Sequence, residues 1–308
     1  MRRFILLIIA LATLLPTLAQ AYDVLILQSR RDAGFEEVLK GFRTASNRSQ
    51  RVIVLSDYAE VDVARIVREE RPLAVLAVGD AALAVARKIT RIPVVSVLSL
   101  GIHNGSSVAN VSGVGMFAPP DSFLELFRKC GTQRIGVVYN GNRTGWYIRK
   151  ARKAAKKAGI ELVTREVSSS REVPGQLASL AGKVDAMWML PDTMAVTRET
   201  TEAWFNFGQE HNVPVISFAA AYLGLGAAAV VEIDRFALGK QAAALSAAVL
   251  NGSDGSDGSD GSDGSDGSDG SDGSDGSDGS DVRRHVYPAG TAVKTNTTVM
   301  KRLGLNLP

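Results

Sequence analysis

Two carboxylates stand where an apolar run stops. "LAVLAVGD" ends on Gly79-Asp80 and "DAMWMLPD" ends on Pro191-Asp192. A carboxylate just beyond a buried strand has two uses. It can cap a following helix by accepting a backbone N–H, or it can hold a cation through charge-assisted hydrogen bonds. A short helical pattern, "TMAVT", follows Asp192, so both uses are open to it. Ser29, Ser99, Asn140, Thr144 and Ser217 also fall at or just after expected strand ends. Each could hydrogen-bond a ligand or simply serve a turn. Phe218 and Trp146 are aromatic residues that could wall a cleft or fill a core.

Catalytic chemistry finds less support. His103, His211 and His285 share no spacing that suggests a metal site. No Gly-x-Ser-x-Gly elbow follows a strand, and no phosphate-binding Gly-Lys loop occurs. "GVGMFA" loosely fits a dinucleotide fingerprint, but the Pro119-Pro120 pair after it argues against one. Seven basic residues lie between Arg143 and Lys157. Ile148, Ala151, Ala155 and Ala158 share the opposite face, which is the pattern of an ordinary amphipathic surface helix. The expectation is therefore a non-enzymatic protein without cofactor or metal, and without nucleic acid as a partner.

The elements that must position these residues alternate regularly. "VLILQ", "RVIVL", "LAVLAVG" and "PVVSVL" read as strands, separated by "GFEEVLKGFRTA", "VDVARIVREE" and "DAALAVARKIT" as helices. Near-continuous apolar strands between amphipathic helices predict a parallel sheet covered on both faces. The pattern restarts at "RIGVVYN" and runs through "ELVTREV", "VDAMWML" and "VPVISFA". "VLAVGDAALAVA" parallels "MWMLPDTMAVT", and "RIPVVSVL" parallels "NVPVISFA". The expected class is α/β, with two similar Rossmann-like lobes. Ligand sites in such sheets lie at the carboxyl ends of strands, so the expected site is the cleft between the lobes. "GVGMFAPP" reads as one crossing and "AAAVVEID" as a second, after which "RFALGKQAAALSAAVL" returns to the first lobe.

Two segments stand apart. Residues 1–21 combine Arg2 and Arg3, an apolar stretch and Ala19-Gln20-Ala21, the layout of a signal peptide cleaved after Ala21. The apolar stretch is short for a membrane span. A secreted, periplasmic protein is expected. Residues 252–281 are ten tandem Gly-Ser-Asp copies without an apolar side chain, so a disordered loop is expected there. The expected organisation is a first lobe of 22–116 plus 231–251, and a second lobe of 117–230 plus 283–308. The whole chain carries 35 basic and 32 acidic residues; without the repeat and the signal segment the balance is clearly basic. A lone cysteine, Cys130, cannot form an internal disulfide, so the core must hold the fold.

"LPDTMAVT", "VPVISFAAAYLGLGAAAVVEIDRFALGKQAAALSAAVLNG" and the ending "VKTNTTVMKRLGLNLP" resemble the periplasmic substrate-binding proteins of ABC transporters, in the branch associated with tryptophan and tyrosine uptake. The resemblance implies a type I periplasmic-binding fold and a receptor that closes on a small molecule, such as an amino acid or related amine-bearing solute. It further implies delivery to an ABC permease in the inner membrane, by a monomer. It implies that Asp192 contacts the ligand's ammonium, and that the helix start at Gly79, Asp80 and Ala81 holds its carboxylate. This chain departs from the family pattern at Asp80, where serine or threonine is usual. A periplasmic sensor signalling to a membrane receptor or histidine kinase is the alternative, and a hydrolase on a related scaffold a third.

Overall fold

The computed structural model describes residues 22–103, 108–253 and 285–305. Residues 1–21, where a signal peptide is expected, and nearly all of the repeat lie outside the described residues.

The first lobe is built on β1 (Val24–Gln28), β2 (Gln50–Val54), β3 (Ala74–Val78), β4 (Val94–Val97) and β5 (Val111–Val114). Helices α1 (Ala33–Ala45), α2 (Val63–Glu70) and α3 (Asp80–Ala86) connect them. The strands run parallel in the order β5-β4-β3-β1-β2. Why the strands read as unbroken apolar runs is visible in β1. Val24 and Ile26 enter one core, while Leu25 and Leu27 enter another on the opposite face. Alternate side chains of a strand point to opposite faces, so covering both faces demands an apolar residue at every position. The helix starts are marked locally: Asp32 accepts from Gly34 N at 2.9 Å, and Asp62 from Arg65 N at 2.9 Å.

The second lobe repeats the plan with β6 (Arg134–Tyr139), β7 (Glu161–Glu166), β8 (Ala186–Trp188), β9 (Val215–Ser217) and β10 (Ala229–Ile233). Helices α4 (Pro120–Lys129), α5 (Gly141–Lys157), α6 (Val173–Ala178) and α7 (Thr201–Glu210) flank that sheet. Its parallel strands follow the order β10-β9-β8-β6-β7. Two parallel-sheet α/β lobes of matching strand order are thus present, as the sequence pattern predicts.

After β10 the chain leaves the second sheet, and α8 (Arg235–Ser253) packs along α1 of the first lobe. Glycines let these helices approach closely. A Cβ at Gly41 would lie 2.1 Å from the Phe236 carbonyl oxygen, and one at Gly239 2.0 Å from that of Val38. No side chain fits at either point.

The segment expected to belong wholly to the second lobe divides between the two. β11 (His285–Val286) pairs in parallel with β5 at the edge of the first sheet. β12 (Thr291–Thr295) then runs antiparallel to β10 in the second sheet, and α9 (Thr297–Arg302) follows. Residues 287–290 therefore make a third crossing between the lobes, beside those after β5 and β10. A two-residue strand offers no periodicity to read, so this split left no pattern in the sequence.

The helix expected directly after Asp192 is also displaced. Residues 193–200 form turns, and α7 begins at Thr201. Thr200 Oγ1 and Trp204 Nε1 both donate to the Ala195 carbonyl, at 3.0 Å each, and Thr197 and Thr200 bond one another's backbone N–H. Side chains that capture backbone groups in this way compete with a helix. Among the described residues no helix is long and apolar enough to cross a membrane.

Candidate interlobe binding site

The β3–α3 and β8 strand ends face each other across the lobe junction. Between them lies a cavity of about 100 Å³, lined by Asp80, Leu100 and Gly101 from the first lobe, Phe117 from the first crossing, and Arg143, Thr144, Pro191 and Thr193 from the second lobe. That volume holds about three waters. It is below the roughly 300 Å³ at which ligand pockets usually begin. Anything larger than a compact polar group requires the lobes to part. A larger hollow of about 510 Å³ lies on the first lobe, between the loop at Tyr58–Asp62 and α3. It draws on one lobe only, so the interlobe cavity, where opposite charges from two lobes converge, is the better candidate.

On the first-lobe side, Gly79 turns the chain from β3 into α3 with φ +90°. A Cβ there would sit 2.7 Å from Ser29 Oγ and 2.8 Å from the Phe35 ring, so only glycine fits. Asp80 follows as the first residue of α3 and is exposed. Its Oδ1 accepts from the Ser99 hydroxyl at 2.5 Å and from Gly101 N at 2.7 Å. Its Oδ2 has one long contact, 3.4 Å from Leu100 N. Ala81 is exposed in the same turn. Ser29 is fully engaged: its hydroxyl donates to Val78 O and accepts from Ala82 N, both at 2.9 Å. Ser99 is buried and acts on the site only through Asp80.

On the second-lobe side, Asp192 is 1 % exposed and does not line the cavity. Oδ1 accepts from Met194 N at 2.8 Å and Ala195 N at 3.0 Å. Oδ2 accepts from Asn140 N at 2.8 Å and the Thr144 hydroxyl at 2.5 Å. A carboxylate offers about four lone-pair sites, and all four are occupied within the lobe. The group fastens the β8 turn to the start of α5. Asn140 caps α5, accepting from Arg143 N at 3.2 Å and donating to Val167 O at 2.7 Å. Ser217 is wholly buried and its hydroxyl has no hydrogen-bond partner among the described residues, and Phe218 packs against the second-lobe core and Tyr222. Neither lines the cavity.

Of the residues singled out from sequence, Asp80 and Thr144 border the cavity. Arg143 and Thr193 also border it and carry usable donors, yet the pattern did not single them out for a ligand. Arg143 is exposed, and its Nη1 donates to Thr193 Oγ1 at 2.7 Å. Its position three residues after a capping asparagine, in the first turn of a helix that starts at a strand end, was the available signal. It was hidden among the seven basic residues of one helix.

Beside the cavity the lobes meet through aromatic rings. His103 of the first lobe stacks on Trp146 of α5, with centroids 3.8 Å apart, and faces Phe117 and His285 at 6.4 and 5.3 Å. Lys150 lies over both Trp146 and Tyr287. Burial, followed by the neighbouring His285 and Lys150, pushes the His103 pKa down to about 3. The imidazole is therefore neutral in the folded protein near pH 7. Among the described residues no group of histidine, cysteine and carboxylate side chains could hold a metal ion.

Comparison with known proteins agrees with this architecture. A ligand-free, open substrate-binding protein with adhesive properties from Clostridium difficile superposes with TM-score 0.64 at 19% identity, covering 93% of this chain and 96% of that one. A domain bound to L-Trp from Streptococcus pneumonia gives TM-score 0.56 at 18% identity, covering 92% and 96%. The tyrosine-binding protein of Clostridioides difficile (strain R20291) is 31% identical over 147 residues, which is 46% of this chain and 42% of that relative, so the match spans less than half of the relative's length. The family model for ABC transporter substrate binding proteins matches residues 31–259. With two parallel α/β lobes meeting at a charged cavity, and that family model covering most of its length, the chain belongs to the ABC transporter substrate-binding protein family.

Proposed function

We propose that this protein is an extracytoplasmic receptor that captures an amino acid or related amine-bearing solute between its lobes and delivers it to an ABC importer. The observation that carries the reading is the interlobe cavity, to which one lobe contributes a carboxylate and the other a guanidinium. A small zwitterion presents both charges and can complement both walls at once. Secretion through residues 1–21, with cleavage after Ala21, fits a receptor that meets its solute outside the cytoplasm. No catalytic role is assigned to any residue.

The fold supports closure. Three crossings, after β5, after β10 and after β11, connect bodies that each have their own cores. Hinge bending at a few such residues is a common way for two lobes to close on a ligand.

The test is a thermal-shift screen of the mature protein with the twenty L-amino acids and their decarboxylated amines. A binder present at 100 times its Kd adds about 2.7 kcal/mol of stability, a rise of about 5–10 °C for a protein of this size. A saturating binder should also reduce the radius of gyration in solution scattering. No shift with any of these compounds would remove the amine-bearing class, and unchanged scattering at saturation would remove closure.

A further inference from the structure

The cavity holds two charged groups without an ionic partner, and they come from different lobes. Among the described residues, neither Asp80 nor Arg143 makes an ion pair. Asp80 is held in place through Oδ1 by Ser99 and Gly101, which leaves Oδ2 with a single 3.4 Å contact. Arg143 is held in place through one Nη1 bond to Thr193, and a guanidinium carries five N–H donors. Each group is oriented, and each retains capacity toward the cavity.

The resemblance assigned the opposite polarity, with the ligand's carboxylate on the first lobe and its ammonium on Asp192. Both halves of that assignment meet a physical obstacle. A carboxylate at the start of α3 would lie beside the exposed Asp80 charge, and like charges at contact repel. An ammonium seeking Asp192 would have to displace at least one of the four hydrogen bonds that the β8 turn and the start of α5 already make to this buried carboxylate.

We infer that the cavity binds its zwitterion reversed: Asp80 of the first lobe takes the ligand's cationic group, Arg143 of the second lobe takes its carboxylate, and Asp192 is a structural strut. This assignment rests on the amino-acid reading above. Arginine suits the anionic end because its planar fork matches a carboxylate bidentately. The two side chains also give the cleft a reason to close, since each end of the solute is gripped by a different lobe.

The experiment uses the L-amino acid that stabilises the wild type most, together with its decarboxylated amine, titrated calorimetrically into wild type, Asp80→Ser, Arg143→Gln and Arg143→Lys. Asp80→Ser should weaken the amino acid and the amine alike, by at least about 30-fold. Arg143→Gln should weaken only the amino acid, so that the wild-type preference for it over the amine, about tenfold or more, falls to within about threefold. Arg143→Lys should recover part of that preference. Both positions are exposed, and unchanged circular dichroism will show that each variant folds. Tighter or unchanged amino-acid binding by Asp80→Ser would overturn the reversed polarity, because removing a repelling charge helps a carboxylate at that site. Persistence of the amine discrimination in Arg143→Gln would overturn it equally. A wild type that binds no amino acid at all would instead sink the reading on which the inference rests, and the inference with it.

Discussion

The Gly79-Asp80 and Pro191-Asp192 corners begin from the same sequence plan and end differently. Both place an aspartate shortly past a buried strand that lies third in its lobe, Asp80 two residues after Val78 and Asp192 four residues after Trp188. In the first lobe a glycine with φ +90° swings the chain directly into α3, and Asp80 remains exposed on its first turn. In the second lobe proline precedes the aspartate, no helix follows until Thr201, and the carboxylate gathers the backbone of its own turn and of α5. A carboxylate becomes available to a ligand when the next element satisfies its own backbone. It becomes structural when the next element is a turn whose N–H groups have no other acceptor.

The largest test of that contrast is Asp192→Asn. An amide would turn two donors of its own toward two of the four donors that the carboxylate now satisfies. A loss of about 2–4 kcal/mol is expected, seen as a lower midpoint in urea, whereas Asp80→Asn should lose less than about 1 kcal/mol. Equal losses at the two corners would erase the distinction.

Thr144→Val comes next, since it removes the 2.5 Å hydroxyl donor to Asp192 while keeping shape. About 1–2 kcal/mol should be lost, and the loss should vanish when the substitution is made in Asp192→Asn, as expected for two partners in one network. Additive losses would mean that Thr144 acts elsewhere.

A pH titration tests the contact between the corners rather than either corner alone. His103 is neutral when folded, with a pKa of about 3, and titrates near 6.5 when unfolded. The unfolded chain therefore binds the extra proton first. The stability that His103 contributes is complete above about pH 6.5 and declines as pH falls from there toward 3. By pH 5 the decline should be on the order of 1 kcal/mol, discounted for partial exposure. It should be absent from the difference between His103→Gln melts at pH 7 and pH 5. If His103→Gln declines as steeply as wild type, the imidazole is not the titrating group at this interface.

The smallest effect belongs to Ser99→Ala, the first-lobe counterpart of Thr144→Val. It deletes the donor to Asp80, but Asp80 is exposed and water can replace the hydroxyl. About 0.5 kcal/mol or less should be lost, with a larger consequence for ligand affinity than for the melting temperature. A loss matching that of Thr144→Val would place Asp80 in a network as closed as that of Asp192.

Much of this molecule follows from local pattern. Alternate burial of β1 on two faces, the helices over "GFEEVLKGFRTA" and "VDVARIVREE", and the restart of the whole series at "RIGVVYN" all depend on neighbours within a few residues, and all are legible in the chain. So is the expectation of a cleft at strand ends, where open parallel sheets take their ligands, and the interlobe cavity lies there. Which aspartate faces the cavity was not legible. That outcome depends on Asn140 and Thr144, about fifty residues from Asp192, arriving with donors aimed at its carboxylate, and on Ser99 and Gly101 holding Asp80 outward. Arg143 likewise became a candidate only when the folded lobes set its helix start opposite Asp80. The split of the C-terminal segment between two sheets belongs with these, since a two-residue strand is defined by the edge it joins and not by its own residues. Sequence determined the elements and the two-lobed plan because short-range periodicity and capping suffice for them; the polarity of the cleft awaited the tertiary structure because hydrogen-bond partners distant in the chain decide which charges are satisfied and which remain exposed.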